Sequence, residues 1–257
     1  MILAEDIPTF HLPSLLAERA KSGQGVPKRR RTRLSLLAAT AAVMEEAGYG
    51  GLTIEAVVAR AGVARGTFYL YFANRGDAAL AVMRAFRATM RGLRPRGGGR
   101  FPAEVSIYRM NLFYVRSYAR NASILIGGEL LLRDRPDLAR RRDFDNQRWA
   151  KAVLRDLCWR SGTPDSLLQD PGALLAVRAI IGMADELLRE TFVHRSASLG
   201  QMVENEEQLA EALSFVWYRA IFGRQPEGLR PLLPVIQQLA PSTKQQAKAR
   251  LRSLAAG

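Results

Sequence analysis

The residues best suited to chemistry lie close together. Arg65, Thr67, Tyr69, Tyr71 and Arg75 occur within the run RGTFYLYFANR. Hydroxyls and guanidinium groups at this density are ligands for phosphate oxygens and base edges. Other candidate groups are weaker. Asp185, Glu186 and Glu190 cluster without a neighbouring His, Lys or metal signature, so a solvated or interface role outweighs acid–base chemistry. Cys158 is the only cysteine and reads as a core thiol. Gly97 to Gly99 lack the Lys-Ser/Thr and the preceding strand of a phosphate loop, and read as an ordinary loop. No nucleophile–base pair and no metal-ligand spacing occurs, so neither an enzyme nor a cofactor is implied.

Charge adds a pointer. The 257 residues carry 38 Lys+Arg against 24 Asp+Glu, a net charge of +14. Such a surplus favours a polyanionic partner, nucleic acid or an acidic membrane surface. Its distribution matters more than its total. Residues 1–78 hold a surplus of only +3, whereas residues 79–142 hold +10. Arg84, Arg87, Arg91, Arg94, Arg96 and Arg100 belong to that second block and read as exposed faces. No apolar run approaches the roughly 18–20 residues of a membrane helix, and the acidic start lacks a secretory pattern. A cytoplasmic protein is the expectation.

The elements that must hold the RGTFYLYF run are helices. Lys28 to Arg33 place five bases in six residues directly before an amphipathic pattern from Leu34 to Ala47. Thr53 can cap a helix showing Ile54, Val57, Val58 and Ala61 on one side. Gly62 breaks it, and a second helix follows from about Arg65 to Phe72. The pair has the spacing of a helix-turn-helix. Val63, Phe68 and Phe72 suit its small core. Asn74 can cap a long helix reaching about Arg94, with Asp77 in its first turn. Further helices are expected over roughly 102–119, 122–133, 137–161, 171–194 and 204–222, and no strand pattern is evident.

With these residues in register, the segment Gly62-Val63-Ala64-Arg65-Gly66-Thr67-Phe68-Tyr69-Leu70-Tyr71-Phe72, followed by Asn74-Arg75, resembles the DNA-binding signature of tetracycline-repressor-like (TetR family) regulators. The resemblance covers about Arg33 to Leu80. It departs from the usual pattern at Ala64, where a capping Ser or Thr is common, at Val58 and at Arg75. It implies an all-α fold in four parts: a basic, partly disordered extension over 1–31, a helix-turn-helix domain over 32–78, a helical ligand-binding and dimerisation domain over 79–223, and a Pro-rich tail over 224–257.

The resemblance also assigns roles. Thr53, Tyr69, Tyr71 and Arg75 would contact phosphates, Arg65 and Thr67 would lie nearest base edges, and Gly66 belongs with them among the DNA-binding residues. Lys28, Arg29, Arg30, Arg31 and Arg33 would form an arm along the duplex. The implied function is a ligand-responsive regulator, a repressor by expectation, binding a near-palindromic operator as a homodimer. Leu174, Val177, Ile181, Ala184 and Leu188, with Leu209, Leu213, Val216 and Ala220, are the expected dimer stripe. Phe113, Tyr114, Phe144, Trp149, Trp159 and Met183 are candidates to line a cavity for an apolar effector. The rival reading is a basic helical protein binding an acidic membrane or a protein partner.

Overall fold

The computed structural model describes residues 6–22, 27–96, 101–135, 137–162 and 165–223. It is all-helical, with no strand among these residues. The helices are α1 (Leu12–Lys21), α2 (Lys28–Ala47), α3 (Ile54–Ala61), α4 (Arg65–Tyr69), α5 (Arg75–Leu93), α6 (Ala103–Arg120), α7 (Ala122–Asp134), α8 (Asp137–Ser161), α9 (Pro171–Leu188), α10 (Ala197–Met202) and α11 (Glu206–Phe222). The Pro-rich tail after Gly223 and the Gly97–Gly99 loop lie outside the described residues.

Local chemistry sets several boundaries where the sequence places them. Thr53 Oγ1 accepts from Ala56 N, Asn74 Oδ1 from Asp77 N and an Asp170 carboxylate oxygen from Ala173 N. Each satisfies an amide that the first turn of a helix leaves unpaired. Elsewhere the helices differ from expectation. α2 begins at Lys28, so the basic run forms its first turns and is not an extended arm. The helix expected over 171–194 changes at Arg189 into a π-helical turn, Arg189–Val193, closed by His194 N donating to Arg189 O.

The N-terminal segment also departs from its expected looseness. Ile7, Phe10, Leu12 and Leu16 are buried, and α1 packs along α2. Asn121, itself buried, closes the contact: its Oδ1 accepts from Leu12 N at 2.8 Å, and its Nδ2 donates to Phe10 O and Ser117 O. Phe10 stacks at 5.6 Å from Phe86 of α5. Residues 6–22 therefore strap the N-terminal helices to the α6–α7 junction. The signal was hard to read because the partners lie about a hundred residues away.

Residue 78 lies inside a helix. α5 runs unbroken from the helix-turn-helix into the larger body, and one continuous core joins both. α7 presses on the N-terminal helices through Gly127 and Gly128; an added Cβ would lie 2.6 Å from Met44 Cε at the first and 2.5 Å from Met83 Cε at the second. α6 and α11 form the far wall. They are joined by a buried hydrogen bond from Asn111 Nδ2 to Ser214 Oγ at 3.0 Å and by ion pairs of Arg116 and Arg120 with Glu206 and Glu207. A smaller apolar cluster between α8 and α9 contains Leu154, Cys158 and Val177.

Replacing Asn121 with Ala leaves the Leu12 amide and the Phe10 carbonyl buried without their partner. Asn121→Ala should lower stability by about 2–3 kcal/mol in urea denaturation, with an unchanged m-value. A loss under about 0.5 kcal/mol would show that the strap is not held by this side chain.

Candidate nucleic-acid interface and ligand cavity

α3 and α4 are set at a fixed angle by Gly62, which adopts φ +65° and ψ 37°. A side chain would be strained in this left-handed conformation, whereas glycine is not. Val63 N then donates to Val58 O at 3.1 Å and turns the chain into α4. Ala64 stands at the start of α4 and supplies no side-chain cap. The helix is short, Arg65–Tyr69, and Leu70 to Phe72 continue as hydrogen-bonded turns. Phe68 is fully buried and anchors it, stacked 5.6 Å from Phe72.

With Phe68 inward, the opposite face carries the polar groups. Arg65, Gly66 and Tyr69 are exposed, and Thr67 and Tyr71 are half-buried. Arg65 forms an exposed ion pair with Glu55 of α3, and its Nη2 donates to the Tyr69 hydroxyl at 3.4 Å. Ion pairs this exposed are weakly held, because water and salt screen them. Thr53 is exposed, with its hydroxyl oxygen engaged at the α3 cap.

The start of α2 lies beside this face. Lys28, Arg29, Arg30, Arg31 and Arg33 are all exposed. The Arg33 guanidinium sits 5.8 Å from the Phe72 ring centre, and Arg29, Arg30, Arg33, Leu70 and Tyr71 line one cleft. Leu70, 74% exposed, is a neighbour that sequence reasoning passed over. The bases stand at the end of α2 where the helix dipole already disfavours positive charge. An anion placed there would relieve that repulsion.

Arg75 is positioned differently from the pure phosphate ligand expected of it. Its Nη1 donates to Leu52 O at 3.1 Å and more distantly to Gly50 O, and its guanidinium lies 5.6 Å from the Tyr49 ring centre. It ties the α2–α3 loop to the start of α5.

The second feature is a cavity of about 1040 Å³ bounded by α5, α6, α7, α8, α9 and α11. That volume lies at the upper end of small-molecule sites. Of the expected lining residues, Tyr114 and Trp149 do line it, their ring centres 6.3 Å apart. The other four do not. Phe113 is fully buried in the main core, while Phe144, Trp159 and Met183 are turned to the outside at 52%, 64% and 41% exposure. Helical spacing shows where aromatics recur but not which face the fold turns inward.

Sequence reasoning missed most of the wall. Met83, Phe86 and Met90 of α5 line it, as do Arg87, Arg91, Arg94 and Arg96, which were expected on plain exposed faces. Tyr118 donates its hydroxyl to Asp185 Oδ1, and Asp185 Oδ2 accepts from Arg189 at 2.7 Å. Asp185 is therefore a structural partner in the wall. Burial, reinforced by Asp185, holds the Tyr118 phenol well above its ordinary value, so it remains a neutral donor.

Most of the expected dimer stripe faces inward. Val177, Ala184 and Leu188 are buried within the chain, as are Leu209 and Leu213, while Leu174 and Ile181 pack against the α8–α9 cluster. Val216 and Ala220 are exposed. The outward face of α9 instead carries Leu175, Ala179, Gly182 and Met183, with Leu175 at 70% exposure. α9 is apolar on several sides, and periodicity alone does not separate the side packed within the chain from the side left outside.

Residues 36–82 match the family model described as bacterial regulatory proteins, tetR family. Over these residues the chain is similar to that family. The solved structure of the fatty acid degradation regulator FadR from Bacillus halodurans is similar in fold, with a TM-score of 0.53 at 20% identity. The match covers 76% of this chain and 97% of that one. A comparison with curated proteins gives no match. The match spans the helix-turn-helix and supports a transcriptional regulator. No helix among its described residues is long and apolar enough to cross a membrane.

The π-helical turn beside the cavity carries a testable charge. His194 Nδ1 lies 3.0 Å from Glu190 and Nε2 lies 3.2 Å from Glu129 of α7. These bonds, Glu190 first, raise the imidazole above its ordinary 6.5. The stabilisation is complete below that ordinary value and is lost as pH rises through the raised one. NMR titration should show the raised value falling toward 6.5 in Glu190→Gln. An unchanged titration would contradict the pairing.

Proposed function

We propose that this protein is a TetR-family repressor that grips a near-palindromic operator as a homodimer and releases it when a small molecule occupies the cavity. One observation carries the reading: the basic first turns of α2 share one cleft with Leu70 and Tyr71, the turn that directly follows the exposed polar residues of α4. The bases meet phosphates there, while α4 presents Arg65, Gly66 and Thr67 to the major groove. Tyr69 and Tyr71 supply hydroxyls to the flanking backbone. Arg65 must exchange Glu55 for a base edge, and the exposure of that ion pair makes the exchange easy.

Two copies are needed to reach two major-groove segments about 34 Å apart. The outward face of α9 supports their contact. Leu175 and Met183 offer apolar area, and Ala179 and Gly182 allow close approach, with Val216 and Ala220 of α11 adding exposed apolar surface. The cavity suits an effector because α5 lines it with Met83, Phe86 and Met90 after leaving the DNA-binding helices. A ligand preferring one setting of α5 shifts the spacing of the two α4 helices by differential affinity.

Fluorescence polarisation with DNA upstream of the protein's own gene, against a shuffled fragment, tests the assignment. Arg65→Ala should reduce the preference for the upstream fragment by about tenfold or more. Arg29→Ala and Arg30→Ala should weaken both fragments alike and flatten the salt slope by about one each. Equal losses from all three variants, or no preference in the parent protein, would sink the reading.

The α9 face has its own test. Light scattering should find the parent protein dimeric and Leu175→Glu monomeric, with the helical circular dichroism retained. A dimeric Leu175→Glu would move the interface elsewhere.

A further inference from the structure

The cavity combines an apolar wall with a basic one. Met83, Met90 and Met110 give it soft, adaptable surface, extended by Phe86, Leu125 and Leu188. Its cations include paired and unpaired ones. Arg160, Arg178 and Arg189 have carboxylate partners in Asp156, Asp143 and Asp185. Arg94, Arg109, Lys151 and Arg155 also line it, and none has a carboxylate within ion-pair distance among the described residues.

Arg94 is the most informative of these. It follows the last turn of α5 and is half-buried, with its guanidinium 4.2 Å from the Trp149 ring centre. Next to Trp149 stands Tyr114, whose hydroxyl has no hydrogen-bond partner among the described residues. Burial pushes this phenol up to about 12, with Arg94 lowering it and Asp185 raising it, so it is a neutral donor. Tyr118, one turn further along α6, differs in having Asp185 as its acceptor. A half-buried cation and an unpaired phenol beside each other form an arrangement in need of an acceptor.

We propose that the cavity takes an amphiphile with an anionic head, the head accepting from Arg94 and Tyr114 beside Trp149 and the apolar part lying against the methionine wall. Carboxylate and phosphate heads share the required chemistry, and both strengthen hydrogen bonds from a guanidinium. The proposal rests on reading this cavity as the effector site.

A matched series tests it: dodecanoate, dodecyl phosphate, dodecanol and dodecylammonium, each below its micelle concentration. Each is titrated into the full chain without DNA, following tryptophan emission and calorimetric heat. At least one anionic member should bind about tenfold or more tighter than dodecanol, and dodecylammonium should be weakest. Preference for dodecanoate or for dodecyl phosphate identifies which head is taken. Arg94→Gln and Tyr114→Phe should each shrink the gap between anion and alcohol while leaving dodecanol affinity intact, which also reports that the variants are folded. Arg84→Gln, at an exposed position off the cavity, should leave the gap unchanged.

Dodecanol equal to both anions, dodecylammonium the tightest, no member bound at all, or a gap reduced as much by Arg84→Gln would each overturn the proposal. Adding the upstream DNA separates the two levels. A tightly bound anion that leaves DNA affinity unchanged supports the head-group assignment while overturning the effector role. DNA release by dodecanol as readily as by either anion does the reverse.

Discussion

α5 has to serve two packing tasks at once, and the rest of the molecule depends on it. Its first half is fixed by an Asn74 cap and buries Ala78, Ala79 and Val82 against the N-terminal helices. Its second half presents Met83, Phe86, Met90 and then Arg94 to the cavity. An α-helix is stiff over this length, so a change of setting at one end is felt at the other. α7 adds a second contact between the same parts, because Gly127 and Gly128 let it approach Met44 and Met83 closely.

The N-terminal strap acts across this joint. It touches α2 along α1, α5 through Phe10 on Phe86, and the α6–α7 junction through Asn121. Each attachment limits how far the helix-turn-helix can turn relative to the larger body. Buried hydrogen bonds such as those of Asn121 define one arrangement sharply, since any displacement leaves polar groups unpaired. The strap therefore belongs to the same mechanical unit as α5 and α7, and its settings must change together with theirs.

Much of the fold was legible where local chemistry decides it. The caps at Thr53, Asn74 and Asp170 and the turn at Gly62 depend on neighbours within a few residues, and so does the start of each helix they govern. The spacing of Phe68 and Phe72 fixed which side of α4 stays outside. Features made by distant partners were not legible. Arg75 could not be seen to bind the Leu52 carbonyl, nor Arg94 to stack on Trp149, because both contacts are set by tertiary packing. α9 shows why pattern alone misleads: Leu174 and Leu175 are adjacent and equally apolar, yet the first packs against α8 and the second is exposed. Basic residues between 87 and 96 looked like solvated surface for the same reason, and the fold turns them toward the cavity.

If α5 joins the two sites, their occupancies are linked, and linkage is reciprocal. The most direct measurement is the affinity of the tightest anionic amphiphile for the full chain, alone and with the upstream DNA saturating. The account predicts weaker amphiphile binding in the presence of DNA, by the same factor with which the amphiphile weakens DNA binding. Identical amphiphile affinities with and without DNA would contradict it.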